Sequence, residues 1–178
     1  MGSVSMLKRL ARYLWWESGD SQRWVPPAVA ERLAQQITDS ERRHTGEIRV
    51  CVEACPPWHW WWPLPSDAAL PARVRERALS WFGQLGVWDT RDNNGVLIYL
   101  LLAERSLEIV ADRGVSERVP PEVWAEVLAR LRDALRKGEV EAGLGAAIEA
   151  VDALLCRHFP ATDGPPKPNE LPDAVVLC

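Results

Sequence analysis

Oxygen-bearing side chains are concentrated in three short polar segments of the chain, residues 45–47, 89–94 and 112–114. Carboxylate and amide oxygens are the ligands that hard cations prefer, and neighbouring glycines let backbone carbonyls approach an ion closely. The segments therefore predict a site for Ca²⁺ or Mg²⁺. Its candidate ligands are Glu47, Asp89, Asp92, Asn93, Asn94 and Asp112.

The same residue types also have an ordinary structural explanation. Asp, Asn and Gly are the residues from which turns are built, because their side chains bond the local backbone or tolerate positive φ. No glutamate stands at the twelfth position counted from Asp89 or Asp92, so the segment is not an EF-hand loop. A turn and a cation site both stay open at this level.

The three segments can act together only if the fold brings them to one place. Residues 47–53 alternate between apolar and mostly polar side chains, which predicts a strand. Residues 95–102 form a continuous apolar run, typical of a strand covered on both faces, and 107–112 follow it as a hairpin partner. Helical spacing predicts helices over 27–44, 71–85, 120–138 and 139–158, with Gly138 ending the third of these.

This order of elements predicts an α/β fold, a three-layer α/β/α sandwich with a small mixed sheet. The crossover helix makes the first two strands parallel, and the hairpin adds an antiparallel neighbour. The starts of the first two strands and the finish of the third then share one end of the sheet, where the three polar segments converge. The chain divides into an N-terminal helix and linker (1–25), a core domain (26–159) and a Pro-rich extended tail (160–178), whose residues 174–177 could add a strand to a sheet edge.

Composition limits the class of protein. The chain has 178 residues and a formal net charge of −4, which argues against nucleic acid as a partner, since phosphate binding needs a positive field. No signal peptide or membrane-spanning run is recognisable. The four cysteines form no CxxC pair, so we interpret them as reduced thiols in a cytoplasmic protein, with Cys51 in the core.

No known catalytic motif is present. A CxxxxxR loop, a DxD pair, a GxxxxGK loop, HExxH and GxSxG are all absent, and the three histidines are scattered, which favours helix-end or surface positions for them. A binding or regulatory module is therefore the first hypothesis. The alternative is a metal-dependent acid phosphatase, in which the cation site would work beside Arg49 or Arg113 as a clamp for phosphate.

The ten tryptophans are unevenly distributed. Trp81, Trp88 and Trp124 occupy core-like positions, whereas a proline-rich loop over 55–66 contains a cluster of four. This loop either presents an aromatic surface to a membrane or partner or folds back over the sheet as a lid. Its tryptophans are Trp58, Trp60, Trp61 and Trp62.

Residues 6–16 predict a short amphipathic helix with one basic face, followed by a polar linker over 17–23. A cationic amphipathic helix can lie on an anionic membrane surface, and it can equally dock on the domain or on a second copy. We expect peripheral association with the inner membrane face or with a membrane protein. The predicted contacts are Lys8, Arg9, Arg12, Trp15 and Trp16, assisted by the tryptophan loop.

These patterns together resemble the TPM domain over roughly residues 27–158. The likeness is carried by TGEIRV at 45–50, DNNGVLI at 92–98, EIVADRG at 108–114 and residues 143–148, while PNELPD at 168–173 resembles a compact cytoplasmic bacterial branch. The resemblance implies an α/β/α sandwich. It also implies kinship with a chloroplast lumen protein credited with acid phosphatase activity, with bacterial envelope proteins that hold divalent metals, and with an accessory protein of an animal receptor.

Overall fold

A four-stranded mixed sheet forms the centre of the protein. The computed structural model describes residues 11, 13, 20–63, 66–161 and 168–178, with Trp61 described by its backbone alone. The strands are β1 (Glu47–Glu53), β2 (Gly95–Leu101), β3 (Ser106–Ala111) and β4 (Val176–Leu177), arranged in the order β3-β2-β1-β4. β1 is parallel to β2 and to β4, and β2 is antiparallel to β3. The mixed α/β fold predicted from the pattern is confirmed, and so is a tail strand at the sheet edge.

Helices cover both faces of this sheet. In chain order they are α1 (Ser21–Trp24), α2 (Pro27–Glu41), α3 (Trp58–Trp61), α4 (Leu70–Gln84), α5 (Arg113–Ser116), α6 (Pro121–Arg136) and α7 (Val140–His158). α2 and α6 begin with proline in the first turn, where no backbone donor is lost. α6 ends just before Gly138, whose φ of 79° suits the left-handed region that closes a helix.

The alternation of β1 sorts its side chains into two cores. Ile48, Val50 and Val52 join the larger core beneath α2, α6 and α7, while Cys51 joins a smaller one beneath α4. β2 divides in the same way, and all seven residues of each strand are buried. Because both faces are covered, even the polar positions of β1 are shielded from solvent.

Three local expectations need correction. Ser21–Trp24 forms α1 within the segment predicted as a linker, and the one-turn helix α3 lies within the predicted tryptophan loop. Trp88 is 55% exposed rather than part of the core, because it follows the left-handed turn at Gly86 and no longer shares the register of α4. The predicted helix over 6–16 lies outside the described residues except for positions 11 and 13, both of which are helical.

Candidate cation site at one end of the sheet

The three polar segments meet at the end of the sheet where β1 and β2 begin. The side-chain amide of Asn94 donates to the Thr45 hydroxyl at 3.0 Å, and the backbone N–H of Gly114 donates to the Asn93 carbonyl at 2.9 Å. The N–H of Asp112 donates to the carbonyl of Gly95, also at 2.9 Å. The predicted convergence is therefore confirmed. We call segments 45–47, 89–94 and 112–114 together the strand-end site.

Gly114 allows the closest approach within the strand-end site. A Cβ atom on this residue would lie 2.6 Å from the carbonyl oxygen of Asp92 and 2.7 Å from that of Asn93. Real Cβ atoms do not come that close to backbone oxygens, so only glycine permits this contact. Asn93 has a φ of 52°, in the left-handed region that asparagine tolerates better than most residues. The chain here is shaped so that backbone carbonyls crowd one small space.

Asp112 is the buried carboxylate of the strand-end site. It follows β3 and is 9% exposed; Oδ1 accepts from the backbone N–H of Arg113 at 2.7 Å and caps α5. Oδ2 is buried and accepts no hydrogen bond from any described residue. A buried carboxylate oxygen without a donor is costly, and a cation or an ordered water would satisfy it.

The other candidate ligands differ in availability. Glu47 is fully buried and its Oε1 accepts from the backbone N–H of Glu170 at 3.2 Å, while buried Asn94 uses its amide to hold Thr45. Asp89 and Asp92 are exposed on the turn before β2. The described part of the chain contains no group of three His, Cys, Asp or Glu side chains placed to hold a metal ion. Any cation here would therefore need backbone carbonyls or water beside the carboxylates.

The two arginines expected to clamp phosphate have different surroundings. Arg49 is 5% exposed, its Nη1 donates to the Ala174 carbonyl at 3.1 Å, and burial lowers the pKa of its guanidinium. The tail thus covers it, and this position does not favour an encounter with phosphate. Arg113 is exposed beside Asp112, and its side chain forms no ion pair within the described ranges.

The C-terminal tail returns to the strand-end site, which the sequence patterns do not predict. Besides the bond to Glu47, Glu170 accepts through Oε2 from the backbone N–H of Arg91 at 2.9 Å. The tail then runs past Arg49 and pairs with β1 as β4. Because the segment has neither helical nor strand periodicity before residue 174, only its likeness to a family segment singles it out.

Comparison with known proteins decides the family. A model of the TPM domain matches residues 20–154, most of the described chain. The protein belongs to the TPM domain family. Among solved structures, the TPM domain resembles the NMR structure of BA42 protein from Bizionia argentinensis, at 24% identity and a TM-score of 0.70, covering 85% of this chain and 94% of that one. It also resembles the N-terminal domain of a protein from P. gingivalis, at 19% identity and a TM-score of 0.58, covering 83% of this chain and 94% of that one. A search of curated proteins finds no match.

The tryptophan loop of this TPM domain is only partly folded back. Trp58 and Trp62 are 68% and 59% exposed, whereas Trp60 is half-buried against the smaller core. The guanidinium of Arg73 lies 5.2 Å from the centre of the Trp60 ring, a cation–π distance. The side chain of Trp61 and the N-terminal contacts Lys8, Arg9, Arg12, Trp15 and Trp16 lie outside the described residues.

A second buried polar cluster, which the sequence does not reveal, lies at the opposite end of β1. Glu53 is 3% exposed and accepts from Arg77 Nε at 2.9 Å, Trp81 Nε1 at 3.0 Å and the Tyr99 hydroxyl at 2.5 Å. Burial and the Glu53 charge raise the pKa of Tyr99. Each of these groups has a partner, so the cluster holds α4 on the sheet.

His44 is buried beside the strand-end site, in a polar cluster that the sequence does not predict. It is 1% exposed just after α2, its Nδ1 lies 3.1 Å from the Gly46 carbonyl, and its Nε2 lies 3.6 Å from Asp152 on α7. Arg43 pairs with the same aspartate at 2.9 Å. This cluster fixes the chain entering β1 and thereby positions segment 45–47. The helix-end expectation for His44 holds, but a surface position does not.

Proposed function

We propose that this TPM domain is a binding module whose strand-end site takes up a divalent cation. The observation that carries the proposal is the buried Oδ2 of Asp112, which has no hydrogen-bond donor among the described residues. Asp89 and Asp92 on the neighbouring turn add negative charge, and the carbonyls crowded at Gly114 add neutral oxygen. Ca²⁺ suits such a mixed set, because it accepts carboxylates, carbonyls and waters in flexible geometry.

Binding here would have a mechanical consequence. Segments 45–47, 89–94 and 112–114 lie at the ends of three different strands, and the tail contacts the first two segments through Glu170. A cation between the segments would stabilise this end of the sheet and the seated tail together. We expect the bound state to present a more rigid surface to a partner, which is a regulatory rather than a catalytic role.

Titration calorimetry with CaCl₂ and with MgCl₂ tests this proposal. The wild-type chain is expected to show saturable binding. Asp112→Asn retains an oxygen to cap α5 but removes the charge, so it is expected to weaken binding at least tenfold. Asp133→Asn is the matched control, because Asp133 is exposed on α6 and pairs only with Arg136 within the described chain. Equal affinity of all three proteins, or no binding by the wild type, would reject the site.

A metal-dependent phosphatase is the second candidate, and one observation favours it. Arg113 presents an exposed guanidinium without an ion pair within the described residues, directly beside Asp112. An arginine next to a bound cation can hold a phosphoryl group. Hydrolysis of p-nitrophenyl phosphate that requires Mg²⁺ and falls at least tenfold in Arg113→Ala would support this candidate. Hydrolysis at the background rate, with the cation bound, would reject the phosphatase candidate and leave the binding module as the proposed function.

Association with a membrane or membrane protein is the proposed context for this module. The described chain contains no helix with the length and apolar character needed to span a bilayer. Exposed Trp58 and Trp62 share one loop, and indoles in such positions suit a membrane interface or a partner surface. The N-terminal basic segment would add electrostatic attraction to anionic lipid.

Co-sedimentation with phosphatidylglycerol vesicles at low salt tests this context. The wild type is expected to pellet, and the double variant Trp58→Ala/Trp62→Ala is expected to pellet several-fold less. Trp88→Ala is the control, because Trp88 is also more than half exposed but lies outside the loop. An unchanged pelleted fraction in the double variant would show that the loop does not contact the membrane. If the wild type does not pellet, binding to an anionic lipid surface is rejected.

A further inference from the structure

A cavity of about 630 Å³ lies at the end of β2 remote from the strand-end site. It is bounded by the turn between β2 and β3, the last turns of α6, and α1. Leu100 and Leu102 are 1% and 5% exposed and form its floor, with half-buried Leu135 and partly exposed Trp24 at the sides. Its volume is within the range of sites that take small organic molecules.

The rim of this cavity carries one sign of charge. Arg105, Arg132, Arg136 and Lys137 line it and are exposed, and its lining includes no Asp or Glu among the residues that the structure describes. Of these four cations, Arg136 alone forms a salt bridge within the described residues, to Asp133 at 3.4 Å between exposed side chains. Arg105, Arg132 and Lys137 form no salt bridge there and are therefore available to a negatively charged ligand, in a protein whose net charge is −4.

Helix electrostatics explain only part of this arrangement. Cations in the last turn of α6 interact favourably with the helix dipole, which accounts for Arg136 and Lys137. Arg105 belongs to the β2–β3 turn, with a φ of 50°, and gains nothing from that dipole. Its convergence with the α6 cations over an apolar floor matches a ligand that carries an apolar chain and an anionic head.

We propose that this cavity binds a long-chain carboxylate, with the hydrocarbon against Leu100, Leu102 and Trp24 and the carboxylate held by the arginines of the rim. Arginine is suited to this role, because its planar fork can bind both oxygens of a carboxylate. The leucine floor removes the hydrocarbon chain from water, which favours binding in proportion to the apolar area buried. This site is independent of the strand-end site, since β2 separates the two.

The test uses dodecanoate below its critical micelle concentration and amide NMR of the full chain. Saturable shifts are expected at the amides of Leu102, Arg105 and Gly138, which border the cavity. Arg132→Glu is expected to weaken binding at least tenfold, while Arg132→Lys retains most of it. Arg130→Glu is the control, because Arg130 is exposed on the same helix but lies outside this cavity.

Two further ligands separate this proposal from its competitors. Dodecyltrimethylammonium has the same chain with the opposite charge, and acetate has the head without the chain, so neither is expected to produce these shifts. Equal binding of the cationic amphiphile would overturn the charge argument. Binding only to anionic vesicles, or the absence of dodecanoate shifts at these amides, would overturn the proposal as a whole.

Discussion

The substitution Gly114→Ala perturbs the strand-end site at its tightest contact. The new Cβ would lie 2.6 Å from the Asp92 carbonyl, whereas ordinary contact begins at 3.4 Å, so backbone must move by about 0.8 Å. Overpacking of this kind costs about 1–3 kcal/mol. Loss of the 2.9 Å hydrogen bond to Asn93 adds about 1 kcal/mol, and the better helix propensity of alanine in α5 returns up to about 1 kcal/mol.

The free energy of unfolding is therefore expected to fall by about 2 kcal/mol in Gly114→Ala. With a urea m-value of about 2 kcal/mol/M, typical of a small domain, the midpoint shifts down by about 1 M. Gly83→Ala is the matched control, since Gly83 lies in α4 with nothing within 4 Å of an added Cβ. That variant is expected to be more stable by about 0.5 kcal/mol.

Urea denaturation followed by tryptophan fluorescence and by circular dichroism measures both variants. The two probes should report one transition with an unchanged m-value. A Gly114→Ala protein as stable as the wild type would refute the reasoning, because the 92–93 carbonyls could then not be packed against residue 114. A loss of stability in Gly83→Ala as large as that in Gly114→Ala would show that the effect is not specific to the contact.

Two further predictions concern the opposite end of β1. Glu53→Gln leaves the largely buried Arg77 without its counter-charge, and urea denaturation is expected to show a loss of about 3 kcal/mol in the free energy of unfolding. Glu141→Gln breaks an exposed pair with Arg32 and is the control, because its loss of stability should be far smaller. Equal losses in the two variants would contradict the buried network. Burial raises the pKa of the Cys55 thiol to about 12, so at pH 8 peptide mapping should show it reacting with a disulfide reagent about 50-fold more slowly than in the unfolded chain. Because only the thiolate reacts, the rate at which Cys55 of the folded protein is modified should still rise with pH above 9. A plateau of that rate above pH 9 would contradict the raised pKa.

The sequence predicted the meeting of the three polar segments because strand direction follows from connectivity. Once 47–53 and 95–102 are strands joined by a helix, they are parallel, and a hairpin must return 112 to the end where 47 and 95 begin. The pairs Glu47↔Gly95 and Val96↔Ala111 bear this out. Short-range periodicity was sufficient here, because each strand has a continuous or alternating apolar pattern.

What the sequence could not predict depends on contacts between distant segments. Arg49 is polar, so alternation alone does not show that α4 and the tail would cover its face of β1. Glu170 reaches the strand-end site from a Pro-rich segment without periodicity, and Glu53 gains its partners from α4 and β2. Burial of such groups is decided by packing across the sheet, which no local pattern encodes.

Amide NMR of the full chain during a Ca²⁺ titration tests the central claim most directly. Saturable shifts are expected at residues 45–47, 89–95 and 112–114, with those of Arg113 and Gly114 among the largest because these two residues directly follow Asp112. The same titration of Asp112→Asn should leave these signals in place until Ca²⁺ is at least tenfold more concentrated. Shifts that are weak, unsaturable and spread over every exposed carboxylate would contradict a cation site at this end of the sheet.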